Sequence, residues 1–211
     1  MTPEDASRQT ADLCRLAPVI PVLVIDDAGH AAELARALVA GGLPVLEVTL
    51  RTPAALDAIR AMSEVEGGIV GAGTLLTPAD VEAAREAGAL FGVSPGATDR
   101  LLDAAEAADL PLLPGAATAT EAMRLLERGY TMQKFFPAEA SGGAKALGAL
   151  ASPLPQIAFC PTGGVSLKNA PDYLALPNTL CVGGSWVAPT TCVAARDWDE
   201  IERLAAEAAG L

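Results

Sequence analysis

The feature that most constrains this chain is a rhythm. Eight short apolar or β-branched runs recur at residues 19–25, 45–50, 69–73, 90–93, 110–113, 132–136, 156–160 and 179–182. Their centres lie roughly 20–25 residues apart, which leaves room for one helix in each gap. The gaps at 31–40, 54–62, 79–87, 101–108, 121–127, 145–150 and 171–176 read as helices, as does a last segment at 197–209, and most are rich in Ala, Leu, Glu and Arg. Thr77-Pro78 supplies an N-cap followed by proline at the first helical position, and Gly41, Gly42 and Gly88 sit where helices should stop. Strict alternation implies parallel strands joined by right-handed crossovers. Eight such units closing on themselves predict an α/β fold of the (β/α)8 TIM-barrel type. An open doubly wound sheet is the alternative, weakened because no G-x-G-x-x-G turn follows the first run. At 211 residues the chain predicts a single barrel domain over 1–211, with 1–16 a short N-terminal leader, helix or loop, across the barrel bottom.

Composition narrows the chemistry. Hydrophobic residues make up 51% of the chain, ample for a large core, and Gly plus Pro number 36 of 211. That share is well under the roughly 25–30% that marks low complexity, so disorder is not expected outside the ends. Fourteen Lys+Arg against 26 Asp+Glu give a net charge of −12, which argues against a nucleic-acid or anionic-membrane surface. The single histidine, His30, excludes a multi-histidine zinc site and leaves at most one histidine-based triad. Cys14, Cys160, Cys181 and Cys192 show no C-x-x-C spacing, and the start Met1-Thr-Pro-Glu-Asp5 carries acids where a signal peptide carries positive charge. The apolar run 17–25 is far shorter than the roughly 20 residues of a bilayer span. A cytoplasmic protein with reduced, mostly buried thiols is the expectation.

In a barrel of this kind the chemistry gathers at the C-terminal ends of the strands. The second run reads Val45-Leu-Glu-Val-Thr-Leu-Arg51, so Glu47, Thr49 and Arg51 share a face with about 13 Å of strand between the acid and the guanidinium. That span suits a small bound molecule, or an internal ion-pair network. Only three lysines exist, Lys134, Lys145 and Lys168, and the first lies inside the sixth run, in Gln133-Lys-Phe-Phe-Pro137. With Phe135 packed outward, Lys134 points into the barrel mouth, where desolvation disfavours a charged ammonium and favours a nucleophilic amine. A lysine snorkelling to solvent at a strand end is the other reading. Lys145 and Lys168 read as surface charges and His30 as a solvated loop residue. The last two strands end in Thr162-Gly-Gly164 and Gly183-Gly-Ser185. Such paired glycines are tight turns at the least, and together they suit a phosphate held by backbone N–H groups. Gly71-Ala-Gly-Thr74 and Ser94-Pro-Gly96 also put small groups at strand tips.

These stretches, with Lys134-Phe-Phe-Pro-Ala-Glu139, Phe159-Cys-Pro-Thr-Gly-Gly164 and Cys181-Val-Gly-Gly-Ser-Trp186, resemble the 2-keto-3-deoxy-6-phosphogluconate (KDPG) and 4-hydroxy-2-oxoglutarate aldolases from about Pro18 to the last helix. Departures are Gln133, Ser141 and the leader, none at a motif position. The resemblance implies a class I aldolase on a (β/α)8 barrel, usually a homotrimer, without metal or cofactor, acting in the Entner–Doudoroff pathway. Such enzymes cleave KDPG to pyruvate and glyceraldehyde 3-phosphate. Relatives also cleave 4-hydroxy-2-oxoglutarate to pyruvate and glyoxylate, and some prefer the galactonate epimer. Carried over, the Schiff-base lysine falls on Lys134 and the general acid/base on Glu47. Arg51, Thr74 and Pro95 fall at the pyruvyl carboxylate, and Thr162, Gly163, Gly164, Gly184 and Ser185 at the phosphate end. Two other classes remain open from the residues alone: a phosphate-binding isomerase or epimerase with Glu47 as proton shuttle, and a non-catalytic sugar-phosphate-binding protein. A metal-dependent aldolase is disfavoured by the lone histidine.

Overall fold

The computed structural model describes residues 1–211. In chain order it contains α1 (Pro3–Cys14), β1 (Val19–Leu23), a 3-10 turn (Ala28–His30), α2 (Ala31–Ala40), β2 (Val45–Thr49), α3 (Ala55–Ser63), β3 (Ile69–Gly73), α4 (Pro78–Glu86) and β4 (Gly92–Val93). There follow α5 (Asp99–Ala107), β5 (Leu112–Leu113), β6 (Gly115–Ala116), α6 (Ala119–Arg128), β7 (Met132–Phe135), α7 (Gly143–Leu150), β8 (Ala158–Pro161), α8 (Ala170–Leu174), β9 (Val182–Gly184), α9 (Thr190–Ala195) and α10 (Trp198–Ala209). Every strand pairing is parallel, as strand–helix alternation demands.

The strands form two parallel ladders where one continuous ladder was expected: six in the order β5-β4-β3-β2-β1-β9, and three in the order β6-β7-β8. The break falls at Pro114, which has no N–H to offer and separates β5, the end of the fifth run, from β6, a two-residue strand beyond that run. Its carbonyl still accepts the Lys134 N–H at 2.8 Å. On the other side, bridges Phe159↔Thr179 and Thr162↔Gly183 tie β8 to the approach and end of β9.

The core is layered. Forty-eight buried residues, among them Leu38, Leu46, Val48, Ile59, Phe135 and Phe159, fill the space between strands and helices. Phe135 and Phe159 meet edge to face, 6.3 Å between ring centres. A second cluster contains Ile20, Val45, Phe91, Val93, Leu113, Met132, Cys160 and Cys181, with Cys14 brought in from α1. Val45 and Met132 stand two residues before Glu47 and Lys134, so by strand alternation this cluster is the floor beneath those side chains. The leader is helical. Thr2 caps it by accepting from the Asp5 N–H at 3.1 Å, Pro3 occupies its first turn, and Ala11, Leu13 and Cys14 pack on the floor.

Helix starts carry their own chemistry. Thr77 and Asp80 form a reciprocal capping box on α4, as do Thr118 and Glu121 on α6. Three helices start two residues earlier than expected, α5 after its Thr98 cap, α6 after its Thr118 cap and α7 at Gly143. Helix α9 was not expected. Its Thr-Thr-Cys-Val sequence has weak helix propensity, and it follows Pro189. No helix is long and apolar enough to cross a membrane.

Candidate active site

Strand β2 is buried along its whole length, and it carries a carboxylate into that burial. Glu47 is 3% exposed and Lys134, on β7, is 4% exposed. Lys134 Nζ donates to Glu47 Oε1 at 3.2 Å, so the two residues the sequence singled out separately are one buried ion pair. Isolated, either charge would carry a desolvation penalty of several kcal/mol, which the pairing offsets. The pair fits because β3 has glycine opposite it. A Cβ at Gly73 would collide with the Glu47 carboxylate, and one at Gly71 would collide with the Phe91 ring. The Lys134 ammonium lies 5.3 Å from the centre of the Phe136 ring.

Arg51 corrects the strand reading. Strand β2 ends at Thr49, the Arg51 N–H bonds back to the Thr49 carbonyl at 2.8 Å, and the chain turns. The exposed guanidinium makes no contact with Glu47. Its Nε donates to Thr74 Oγ1 at 3.2 Å. Thr74 itself has φ of +62°, a left-handed backbone that a β-branched residue adopts at a cost of about 1–3 kcal/mol. This strained residue stands just beyond the end of β3, beside Arg51. Thr49 faces inward as expected, with its hydroxyl donating to the Leu23 carbonyl at 2.9 Å. Pro95 lies half-buried against Gly115, where a Cβ would strike the Pro95 carbonyl, and Gly115 is the register partner of Lys134.

A cavity of about 230 Å³ opens at the C-terminal ends of β1, β7, β8 and β9. Arg51, Thr162, Gly163, Gly164, Gly184 and Ser185 line it, together with Phe136, Val165, Gly183, Val22 and Val24. Lys134, Glu47, Thr74 and Pro95 are not among its walls. Gly163 and Gly164 have φ of +99° and +79°, conformations open to glycine and strained for other residues. Thr162 is buried, its hydroxyl 3.9 Å from Cys160 Sγ, and a Cβ on Gly183 would collide with it. Gly184 is covered by the Trp186 ring, where any side chain would clash.

Phe136 is the residue that reading by motif missed. It follows Lys134 by two and so shares its face, a signal that strand alternation already contained. Lys145 and Lys168 are exposed, as expected. His30 is half-buried rather than free in a loop, its ring 6.5 Å from that of Trp198. No group of three or more His, Cys, Asp or Glu side chains is arranged to hold a metal ion.

Residues 10–204 match the family model for KDPG and KHG aldolase. The chain belongs to that family. A 2-dehydro-3-deoxy-phosphogluconate aldolase of Pseudoalteromonas atlantica is 54% identical over 198 residues, covering 93% of this chain and 92% of the relative. Among solved structures, the 2-keto-3-deoxy-6-phosphogluconate aldolase of Zymomonas mobilis ZM4 with 3-phosphoglycerate superposes with a TM-score of 0.91 at 51% identity, covering 96% of both chains. The KDPG aldolase of Legionella pneumophila, with pyruvate captured as a covalent carbinolamine intermediate, matches with a TM-score of 0.91 at 44% identity over 94% of this chain and 97% of that one.

Proposed function

We propose that this aldolase-family chain is a class I, Schiff-base aldolase that cleaves 2-dehydro-3-deoxy-6-phosphogluconate to pyruvate and D-glyceraldehyde 3-phosphate, and 4-hydroxy-2-oxoglutarate to pyruvate and glyoxylate. The observation that carries the reading is the buried Lys134–Glu47 pair, 3.2 Å apart, with the Lys134 ammonium 5.3 Å from the ring of Phe136, a wall of the glycine-lined cavity. A nucleophilic amine needs a base within hydrogen-bond reach, and Glu47 is that base.

Lys134 passes a proton to Glu47, and its free amine attacks the C2 ketone to give a carbinolamine. Glu47 returns a proton as water leaves, and a protonated imine remains. Glu47 then takes the C4 hydroxyl proton. The C3–C4 bond breaks, its electron pair flows into the imine, and the aldehyde departs. The enamine is reprotonated at C3 by Glu47, and water releases pyruvate and restores Lys134. Arg51, with Thr74 and Pro95 beside it, grips the pyruvyl carboxylate in a forked, charge-assisted contact that aims the ketone at Lys134. Thr162, Gly163, Gly164, Gly184 and Ser185 take the phosphate on backbone and hydroxyl groups. The relative solved with 3-phosphoglycerate supports a phosphorylated three-carbon ligand here.

The reading includes the whole molecule: residues 1–211 as one domain, the strands as a closed (β/α)8 barrel with β5 and β6 counted as one, and the chain as a cytoplasmic homotrimer. The bridges Phe159↔Thr179 and Thr162↔Gly183 and the Lys134–Pro114 hydrogen bond support closure at both ladder junctions. The decisive test is chemical. Borohydride with pyruvate should add one reduced pyruvyl group to Lys134, detected by peptide mass. Unmodified Lys134 after that treatment, or full turnover by Lys134→Ala, returns the site to an isomerase or a binding protein.

A further inference from the structure

Glu139 lies five residues beyond Lys134 and takes no part in the ion pair. Its backbone N–H donates to the Gly163 carbonyl at 3.0 Å, and the Ala138 N–H donates to the Thr162 carbonyl at 2.8 Å. The segment after β7 therefore runs alongside the first glycine turn. The Glu139 carboxylate accepts a hydrogen bond from the Tyr173 hydroxyl, and Tyr173 is a fully buried residue of α8. Burial first, and then this carboxylate, push the Tyr173 phenol up, so it remains a donor. Gly164 rests directly on the Glu139 side chain: a Cβ there would come within 2.6 Å of Glu139 Cγ. Asn169 adds a tie, donating to the Gly164 carbonyl at 3.1 Å while accepting from the Ser166 N–H at 2.7 Å.

Gly163 and Gly164 are the freest residues in the turn, and freedom weakens an anion site made of backbone N–H groups, since the ligand must then pay for their ordering. We infer that Tyr173 and Glu139 are positioning residues for the anion end of the site: the Tyr173 hydroxyl anchors the Glu139 carboxylate, which in turn fixes the Gly163–Gly164 backbone that receives the substrate phosphate. The contact joins three separate pieces of chain, the loop after β7, the loop after β8, and α8. It also holds a negative charge in one place beside a turn that must receive another. Released, that carboxylate can swing toward the phosphate and repel it. The inference rests on reading this turn as the phosphate end.

Steady-state kinetics on two substrates test it. Tyr173→Phe keeps the buried ring and removes only the hydroxyl. Its KM for the phosphorylated substrate should rise about tenfold, the size expected for a lost hydrogen bond to a charged group. Its kcat should stay within about twofold, and kcat/KM on 4-hydroxy-2-oxoglutarate, which has no phosphate, should do the same. Glu139→Ala, at an exposed position, should give the same split, with thermal melts checking that the variant folds. Glu139→Gln keeps an acceptor for Tyr173 and should restore KM to within about threefold of the parent. Equal losses on both substrates, or an unchanged KM, overturn the inference. Inorganic phosphate tests the underlying reading separately. If it fails to inhibit the parent enzyme, and the parent shows no preference for the phosphorylated substrate, both the phosphate reading and the positioning role fall.

Discussion

At the scale of single residues, the site is built as much from what is missing as from what is present. Glu47 can lie over β3 only because Gly73 has no side chain, and the Phe91 ring can fill the floor only because Gly71 has none. The pattern Glu47–Lys134 was legible as two polar residues inside apolar strands, each improbable unless paired. Their mutual contact was not legible, since it joins residues 87 apart in the chain. Arg51 illustrates the opposite case. Period-two counting put it on β2, whereas the strand stops at Thr49 and the arginine works from a turn. The positive φ of Thr74 leaves no trace in composition, because threonine is the residue least suited to it. If Glu47 moves the protons, Glu47→Gln should keep its shape and lower kcat by about 10²–10⁴-fold, the range for a lost general acid/base. Parental turnover in that variant would assign the proton to another group.

At the scale of elements, helix starts fell within two residues of expectation and strand starts within three, the last strand beginning at Val182 rather than at 179. Runs such as Val45–Thr49 and Ile69–Gly73 are apolar and β-branched or small throughout, and they matched within a residue. Helices α5 and α6 begin at threonines whose role is to accept a backbone N–H, a signal weaker than hydrophobic periodicity. The α6 box makes a graded prediction. Backbone N–H of Ala117 first, then the Thr118 hydroxyl, hold the Glu121 carboxyl below the usual carboxylate range. A carboxyl lowered in the folded state contributes stability above its unfolded pKa, about 4.3, and loses it as pH falls through the lower folded value. Thr118→Ala should therefore cost about 1 kcal/mol at pH 7, a fall in Tm of about 2–4 °C. The deficit should shrink as pH falls through the lowered folded pKa of Glu121, where the carboxylate half of the box takes up its proton. A deficit independent of pH in thermal melts would mean that the Glu121 carboxylate does not take part.

At the scale of the whole molecule, the chain reconciles a net charge of −12 with an anionic substrate by making its positive potential local. One arginine and a set of backbone turns face the cavity, while most acids are spread over the helix surfaces. The sulfur atoms are partitioned just as sharply. Cys14, Cys160 and Cys181 are buried together in the barrel floor and Cys192 is half-buried on α9. The hydrogen bond to Cys160, with burial, pushes the Cys14 thiol up; hydrogen bonds to Cys14 and Cys160, with burial, do the same to Cys181. Hydrogen bonds from Cys14 and then Cys181 hold the Cys160 thiol low, so its burial alone keeps it from reagents. Alkylation of the native protein near pH 8 should label Cys192 alone, because the other three are buried, with all four thiols reacting after denaturation. Rapid native labelling of Cys14 would show that α1 does not hold the floor shut.

That floor closes one side of the site. Helix α1 covers the apolar layer under Lys134, with Cys14, Ala11 and Leu13 packed onto it. On the proposed roles, the ketone bonds to buried Lys134 and the phosphate rests on the glycine turns that line the cavity. If those roles hold, what bonds to Lys134 sits behind what rests on the turns, and traffic is last in, first out. Run toward condensation, pyruvate must seat before the aldehyde; run toward cleavage, the aldehyde must leave before pyruvate can. Product-inhibition patterns should show that order, and random release would mean that the site has a second opening.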